Sequence, residues 1–307
     1  WPLREKLMIE SYYNVAKNLV PFLREEGVEI LYCNTSTSCV GVWLKKMLKL
    51  PLIYHVREFG IEDQCFQHFH GEKWFNNKLK NADEIIVISK ALLSKYKDSF
   101  DRNRISVVYN DVSKAYINPC NHKWDEPIKI MSCGAIIPGK GHMDVIRATC
   151  ELTAEGYPVQ LFVVGNDKTQ YAPEIKNKTA EIGGNRSVEF TGVISDMNEF
   201  RKKIDIGVVA SVSEAFGRIT IEGMLSQLLI IGANVGANPE LIEDGVTGLL
   251  YESGNVDSLK QKIIWAIKNK ERAKTIGENS MKYAKKYCQG YCADEVYNII
   301  CRVGGKS

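Results

Sequence analysis

Residues 205–224 read Asp-Ile-Gly-Val-Val-Ala-Ser-Val-Ser-Glu-Ala-Phe-Gly-Arg-Ile-Thr-Ile-Glu-Gly-Met. The opening run, 205–211, is short and apolar, the pattern of a strand buried on both faces of a parallel sheet. From Thr220 to Gln227 the spacing and residue types are those of a helix, so the stretch is a strand, a turn and a helix in succession. Glu214 then lies on the loop leaving the strand, Phe216-Gly217 form the turn, and Glu222 falls in the first turns of the helix. A helix start offers unpaired N–H groups and partial positive charge, which suits a phosphate. Gly217 lets the backbone come close to a ligand. Two carboxylates flanking such a turn fit poorly with phosphate alone. They fit a phosphate joined to hydroxyl-rich groups, as in a nucleotide sugar. Glutamate near a helix start is also favoured by the dipole alone, so the strand-loop-helix context carries this reading more than the spacing does.

Outward from this stretch the alternation repeats. In the second half of the chain strands are expected at 128–133, 159–164, 187–190, 206–210 and 228–231. Helices are expected at roughly 141–155, 172–182, 196–203 and 220–227. In the first half a long amphipathic helix spans 3–26 and stops at Gly27. Strands follow at 28–34, 51–56, 84–88 and 105–109, with helices at 39–50, around 72–79, and at 90–96 behind Ser89 as N-cap. Asn34-Thr35-Ser36 is a helix-start signal. Strand-helix alternation of this kind implies parallel sheets covered on both faces. Between Asn110 and Pro127 the periodicity lapses into turn residues, and the interdomain linker is placed there. The fold class is therefore α/β, with two doubly wound parallel-sheet domains facing across a cleft, and ligands are expected at the carboxyl ends of the strands. The last segment, 291–303, reads as a helix returning to the first domain.

Composition narrows the class. The chain has 307 residues, room for two domains, with 45% hydrophobic and 25% charged residues, ordinary for a globular protein. A formal charge of +3 without a Lys/Arg run gives no argument for nucleic acid. The nine cysteines form no C-x-x-C pair and sit mostly in apolar or helical segments, as reduced thiols of a cytoplasmic protein do. No apolar run approaches the roughly 20 residues of a membrane span.

Other motifs point to the same chemistry. Gly134-Ala135-Ile136-Ile137-Pro138-Gly139-Lys140-Gly141 ends the first strand of the second domain and opens a helix. Its glycines admit backbone to a phosphate and Lys140 meets its charge, although a glycine-bearing turn with an exposed lysine reads equally well. It is neither a dinucleotide fingerprint nor a P-loop. Phe190-Thr191-Gly192-Val193 ends another strand, where main-chain groups suit a nucleobase edge. Gly236-Ala237-Asn238-Pro239-Glu240 adds a turn at the same rim. His55, in Tyr54-His55-Val56-Arg57-Glu58-Phe59-Gly60, ends a strand of the first domain, which places it on the rim facing the cleft near a sugar or leaving group. A lone histidine is also commonly a satisfied structural residue. His68 and His70 lie two apart on a polar loop without a third ligand, so no metal site is expected.

Taken together, these residues resemble the large family-four retaining glycosyltransferases of GT-B architecture. The resemblance runs through Gly134 to Gly141, Phe190-Thr191-Gly192, Ser213 to Gly217 with Glu222, and Glu240-Leu241-Ile242-Glu243-Asp244-Gly245-Val246-Thr247-Gly248-Leu249-Leu250. It covers the second domain and is thinner in the first. It implies transfer of a sugar from a nucleotide diphosphate donor such as a UDP-sugar, with retention at the anomeric carbon and with no cofactor or essential metal. By the same resemblance Lys140 binds the diphosphate, with Gly134 and Gly141 framing its loop. Glu222 takes the ribose hydroxyls, and Glu214 contacts the donor sugar near the reacting centre. Ala215, Phe216, Gly217, Arg218 and Ile219 hold sugar and phosphate, Val193 contacts the base, and His55 approaches the donor sugar from across the cleft. Many relatives carry Arg where this chain has Ala135, and Arg218 or Arg57 is expected to compensate in part. The family's opening strand and glycine-rich loop are not found, so a chain lacking its first βα units is expected.

The resulting division is 1–112 for an incomplete acceptor-side domain, 113–287 for a nucleotide-sugar domain, and 288–307 for the returning helix. Two alternatives stay open, a nucleotide-sugar epimerase of the same architecture and a non-catalytic nucleotide-sugar-binding partner subunit. The expected acceptor is a glycan or lipid-linked glycan in surface polysaccharide synthesis. Lys45, Lys46 and Lys49 on the apolar helix of Trp43, Leu44, Met47 and Leu48 suit either plain solvation or a peripheral contact with an anionic membrane.

Overall fold

The computed structural model describes residues 2–60, 71–97 and 100–305. Two compact units partition the chain, Trp1–Asn110 with Gly290–Ser307, and Asp111–Gln289.

The first unit holds a four-stranded parallel sheet in the order β1 (Leu31–Cys33), β2 (Leu52–Val56), β3 (Glu84–Val87), β4 (Ile105–Val107). β2 and β3 are buried along their whole length, which their β-branched and apolar residues permit. The helix Val40–Leu48 stops where Lys49 adopts a left-handed conformation (φ 59°) two residues ahead of Pro51. Asn34-Thr35-Ser36 does not open that helix. Thr35 Oγ1, Ser36 N and Ser36 Oγ all donate to one oxygen of Glu58, at 2.8, 2.7 and 2.8 Å, so a carboxylate distant in sequence holds this segment as a loop. The helix Tyr291–Val303 belongs to this unit. Cys292, Val296, Ile299, Ile300 and Val303 recur at helical spacing and pack with Ile53, Ile86 and Val108, while Arg302 pairs with Glu84 at 2.9 Å.

The second unit is built on a six-stranded parallel sheet. Its strands are β5 (Ile128–Cys133), β6 (Val159–Val164), β7 (Val188–Gly192), β8 (Ile206–Val209), β9 (Leu229–Ala233) and β10 (Leu249–Tyr251), in the spatial order β10-β9-β8-β5-β6-β7. The chain runs outward from β5 through β6 to β7, then returns to lay β8 on the other side of β5. The carboxyl ends of β5 and β8 therefore flank the topological switch point, where ligands bind in open α/β sheets. β10 is a sixth strand beyond the five expected. It is three residues long and begins within the 240–250 signature, whose turn feeds it directly: Gly245 N donates to Gly248 O, and Leu250 N to Asp244 Oδ1 at 2.7 Å.

The helix after β8 runs Arg218–Met224 rather than 220–227. It ends early because Gln227 takes a left-handed conformation (φ 57°) and Ser226 and Leu228 both return their N–H groups to Gly223 O. Residues 111–127, expected as a linker, lie as a strap on the second unit. Asn118 N bonds Leu225 O, Cys120 N bonds Gln227 Oε1, and His122 Nε2 contacts Ser226 O at 2.8 Å. Beyond the short 3-10 turn Lys114–Tyr116 the strap has no regular structure, yet Asn118 and Cys120 satisfy their backbone N–H groups through Leu225 and Gln227.

Candidate functional site

The loops leaving β5 and β8 meet backbone to backbone. Gly141 has φ 66°, and a Cβ placed on it would lie 2.0 Å from Ala210 O, so only glycine permits this approach. Val212 N donates to Gly139 O at 3.0 Å, a second tie between the loops. His142 pins the β5 loop from below. Its Nδ1 contacts Ser132 Oγ at 2.7 Å and its Nε2 lies 3.2 Å from Ala135 O. Burial drives this imidazole down to a pKa of about 4, so it is neutral at ordinary pH. Nε2 then carries the hydrogen that Ala135 O accepts, and Nδ1 accepts from Ser132.

This meeting of loops brings Lys140 beside Glu214. Lys140 Nζ lies 3.3 Å from Glu214 Oε2, and Ser211 Oγ donates to the same oxygen at 3.0 Å. Both side chains stay partly open, 26% and 14% exposed, so the pair is accessible to a ligand. The backbone of Glu214 is fixed from the next crossover. Ala237 N donates to Glu214 O at 2.8 Å, and a Cβ on Gly236 would stand 2.5 Å from that oxygen. Ala215, Phe216 and Gly217 are buried beyond it, with the Phe216 ring edge-on to Tyr287. Gly217 opens the helix without a side-chain cap, and Ile219 is half-buried in its first turn.

Glu222 does not present a free carboxylate. It is 4% exposed, with Oε2 bonded to the buried Arg201 at 2.5 Å and Oε1 to the exposed Arg218 at 3.0 Å. The Arg201 guanidinium also stacks on Tyr116 of the strap, while its Nε and Nη1 have no partner among the described residues. Arg201 was not singled out from sequence. It closes the short helix Met197–Arg201, where an arginine reads as a solvated terminal cation. Arg218 is committed to Glu222, and Arg57, in the first unit, donates to Asn34 Oδ1 and Asn110 Oδ1 at 2.6 Å each. Val193 is 75% exposed just past β7, while Gly134 N donates to Val164 O at the end of β6.

His55 is in β2 of the first unit and is fully buried, not on an open rim. Tyr32 Oη and Arg57 Nη2 both approach its Nδ1, the latter at 3.4 Å, and its Nε2 has no partner among the described residues. Burial, with Arg57 adding to it, lowers its pKa to about 4. His68 and His70 lie outside the described residues. Among the described residues no cluster of three or more His, Cys, Asp or Glu side chains is placed to hold a metal ion.

Residues 118–283, more than half of the chain and most of the second unit, match the sequence profile of the family Glycosyl transferases group 1. The protein belongs to that family. The match bears out the resemblance carried by the Lys140 loop and the Glu214 to Glu222 stretch. This group 1 glycosyltransferase is 29% identical to the glycosyltransferase MJ1178 of Methanocaldococcus jannaschii, over 94% of its own length and 78% of the relative's. It is 26% identical to the capsular polysaccharide biosynthesis glycosyltransferase CapM of Staphylococcus aureus, over 91% and 77%. Among solved structures, HepE of Anabaena in complex with UDP aligns with a TM-score of 0.82 at 20% identity, covering 94% of this chain and 82% of that one. The fold of the group 1 protein, two α/β units each on a parallel sheet, is the GT-B fold of those neighbours. No described helix is long and apolar enough to cross a membrane.

Proposed function

We propose that this glycosyltransferase moves a sugar from a nucleotide diphosphate donor to a glycan or lipid-linked glycan acceptor, with retention at the anomeric carbon and without a resident metal or cofactor. The observation that carries this reading is the convergence of Lys140 and Glu214 at the switch point of the second sheet. In such a transfer the glycosidic bond to the diphosphate breaks and negative charge grows on the departing phosphate oxygen. A fixed ammonium at the rim of the sheet stabilises that charge. Lys140 supplies it, and donor binding exchanges its contact with Glu214 for contact with phosphate. The Glu214 carboxylate, released from lysine but still held by Ser211, accepts from sugar hydroxyls. At Glu222 donor binding exchanges the exposed Arg218 on Oε1 for the ribose hydroxyls while the buried Arg201 keeps Oε2, and the exposed Val193 segment takes the base.

The UDP in the HepE complex supports a nucleotide donor, and the part CapM takes in capsule synthesis supports a surface polysaccharide product. The proposed setting is the cytoplasmic face of a membrane. Lys45 is neutralised by Asp83 at 2.6 Å, so contact with anionic lipid falls to Lys49 and to Lys46 and Lys78, which lie over the Trp43 ring. Sedimentation with anionic vesicles at low salt tests that contact, and its absence there removes the membrane from the proposal.

The activity is tested by following labelled nucleotide sugars for transfer to glycan acceptors, or slow hydrolysis, with and without a chelator. Turnover that survives chelation supports the reading. Tight donor binding with no turnover on any acceptor supports the alternative of a non-catalytic binding subunit, which Ala135 and the commitment of Arg218 to Glu222 favour.

A further inference from the structure

A cavity of about 280 Å³ lies at the amino ends of the strands in the second unit, opposite the edge where Lys140 and Glu214 meet. Trp124 of the strap, shortly before β5, and Gln227, shortly before β9, both border it. Lys274 and Glu278, one turn apart on the helix Lys270–Ala284, form another side. Trp124 and Gln227 are two of the three non-glycine residues at positive φ among the described residues, at 59° and 57°. Such a backbone is unfavourable for a bulky residue, and strain of this kind concentrates where a site is held in shape.

His122 belongs to the same wall and is 6% exposed. Its Nε2 lies 2.8 Å from Ser226 O, and a carbonyl only accepts, so Nε2 carries a hydrogen. In the neutral ring Nδ1 is then a lone pair, and it has no partner among the described residues. One water needs only about 15 Å³, so the cavity is far larger than that nitrogen alone requires. It also falls short of the roughly 300–1,000 Å³ of sites for drug-sized ligands, which limits the occupant to a small molecule.

The wall also selects its chemistry. Gln227 Oε1 accepts from Cys120 N at 2.9 Å, so this amide offers its NH₂ group. Glu278 is exposed and brings a carboxylate, and the exposed Asn121 brings both donors and an acceptor. Lys274 is committed to Glu271 at 2.8 Å and Glu278 repels anions, so a phosphate is a poor occupant. Acceptors and donors in one wall with an aromatic side chain suit a ring of hydroxyls, each of which donates and accepts.

We propose that this cavity is a second ligand site, taking one neutral sugar residue of hexose size through His122 Nδ1, Gln227, Asn121 and Glu278. It stands apart from the Lys140–Glu214 pair and does not depend on the transfer reading.

The test uses the full chain labelled with nitrogen-15 on histidine, with excess UDP present to occupy a donor site. Glucose, galactose, mannose and N-acetylglucosamine are titrated in turn, and long-range proton–nitrogen correlation reads the ring nitrogens. His122→Gln, whose amide can still donate to Ser226 O, assigns the His122 signals by their loss. With at least one sugar Nδ1 is expected to shift saturably upfield as it accepts a hydroxyl hydrogen, while the His142 nitrogens stay in place. Asn121 and Glu278 are exposed, so Asn121→Ala and Glu278→Ala spare the core. Each is expected to weaken that sugar about fivefold, roughly the worth of one hydrogen bond. Saturation transfer to the sugar protons measures these affinities without the histidine assignment, and a fall in either variant supports the site. A His122 signal unmoved by all four sugars overturns the proposal, as does an affinity unchanged in both variants.

Discussion

Lys140 Nζ stands 3.3 Å from Glu214 Oε2, although 74 positions separate the two in sequence. Their loops are forced together because β8 returns to lie against β5 and Gly141 allows the backbones to touch. Lys140→Met is expected to weaken donor binding and to lower kcat together. The combined loss in kcat/KM is about a hundredfold or more, the scale seen when one preorganised charge-stabilising group is removed. Glu214→Gln is expected to lower kcat with little change in KM. Steady-state kinetics with varied donor separates the two patterns.

Arg201 and Arg218 share Glu222 but differ in burial, 1% against 64% exposed side chains. Arg201→Ala leaves a buried carboxylate short of its partner, and a loss of about 3–5 kcal/mol of stability is expected. Arg218→Ala is expected to change stability by no more than about 1 kcal/mol, because its guanidinium is solvated. Urea unfolding of the two variants checks the contrast.

Gly141→Ala puts a methyl group into the Ala210 carbonyl and onto a left-handed backbone. Turnover is expected to fall about tenfold or more, since a displaced catalytic group is sensitive to shifts of this size. Gly245→Ala shares the left-handed strain (φ 77°) but has nothing within 4 Å, so it serves as the control. Comparable activity in the two variants contradicts the importance of loop contact.

His55 and His142 both titrate near 4 in the folded chain against an ordinary value of 6.5. The unfolded chain therefore binds more protons between those values, and stability rises with pH across that window. Stability is expected to be flat above about pH 6.5, to decline as pH falls toward 4, and to level off in this term below it. The gap corresponds to about 3 kcal/mol for each ring. Denaturant titrations at several pH values, repeated on His142→Gln, measure the share of one ring.

Much of the second unit was legible in the sequence because its chemistry sits on short local patterns. The strand before Glu214, the glycines around Lys140 and the turn residues of 244–248 each declare themselves within a few positions. Glu222 was placed correctly on its helix, but its burial between two arginines was not visible, because Arg201 arrives from another crossover. β10 escapes notice because its Leu249 and Leu250 read only as the close of the 240–250 motif. The strap at 111–127 looks like a linker because the hydrogen bonds that tie it down reach Leu225, Ser226 and Gln227, far along the chain. His55 was read as open to a rim, whereas the sheet of the first unit encloses it; strand position fixes a register but not what covers it.

The central claim is that the Lys140–Glu214 meeting point is a nucleotide diphosphate site, and calorimetric titration with UDP and UDP-sugars tests it most directly. Wild type is expected to bind with saturable heat, Lys140→Met to bind at least about tenfold more weakly, and Glu222→Ala to lose affinity as well. Undiminished affinity in Lys140→Met, or no heat with any nucleotide diphosphate, contradicts the account.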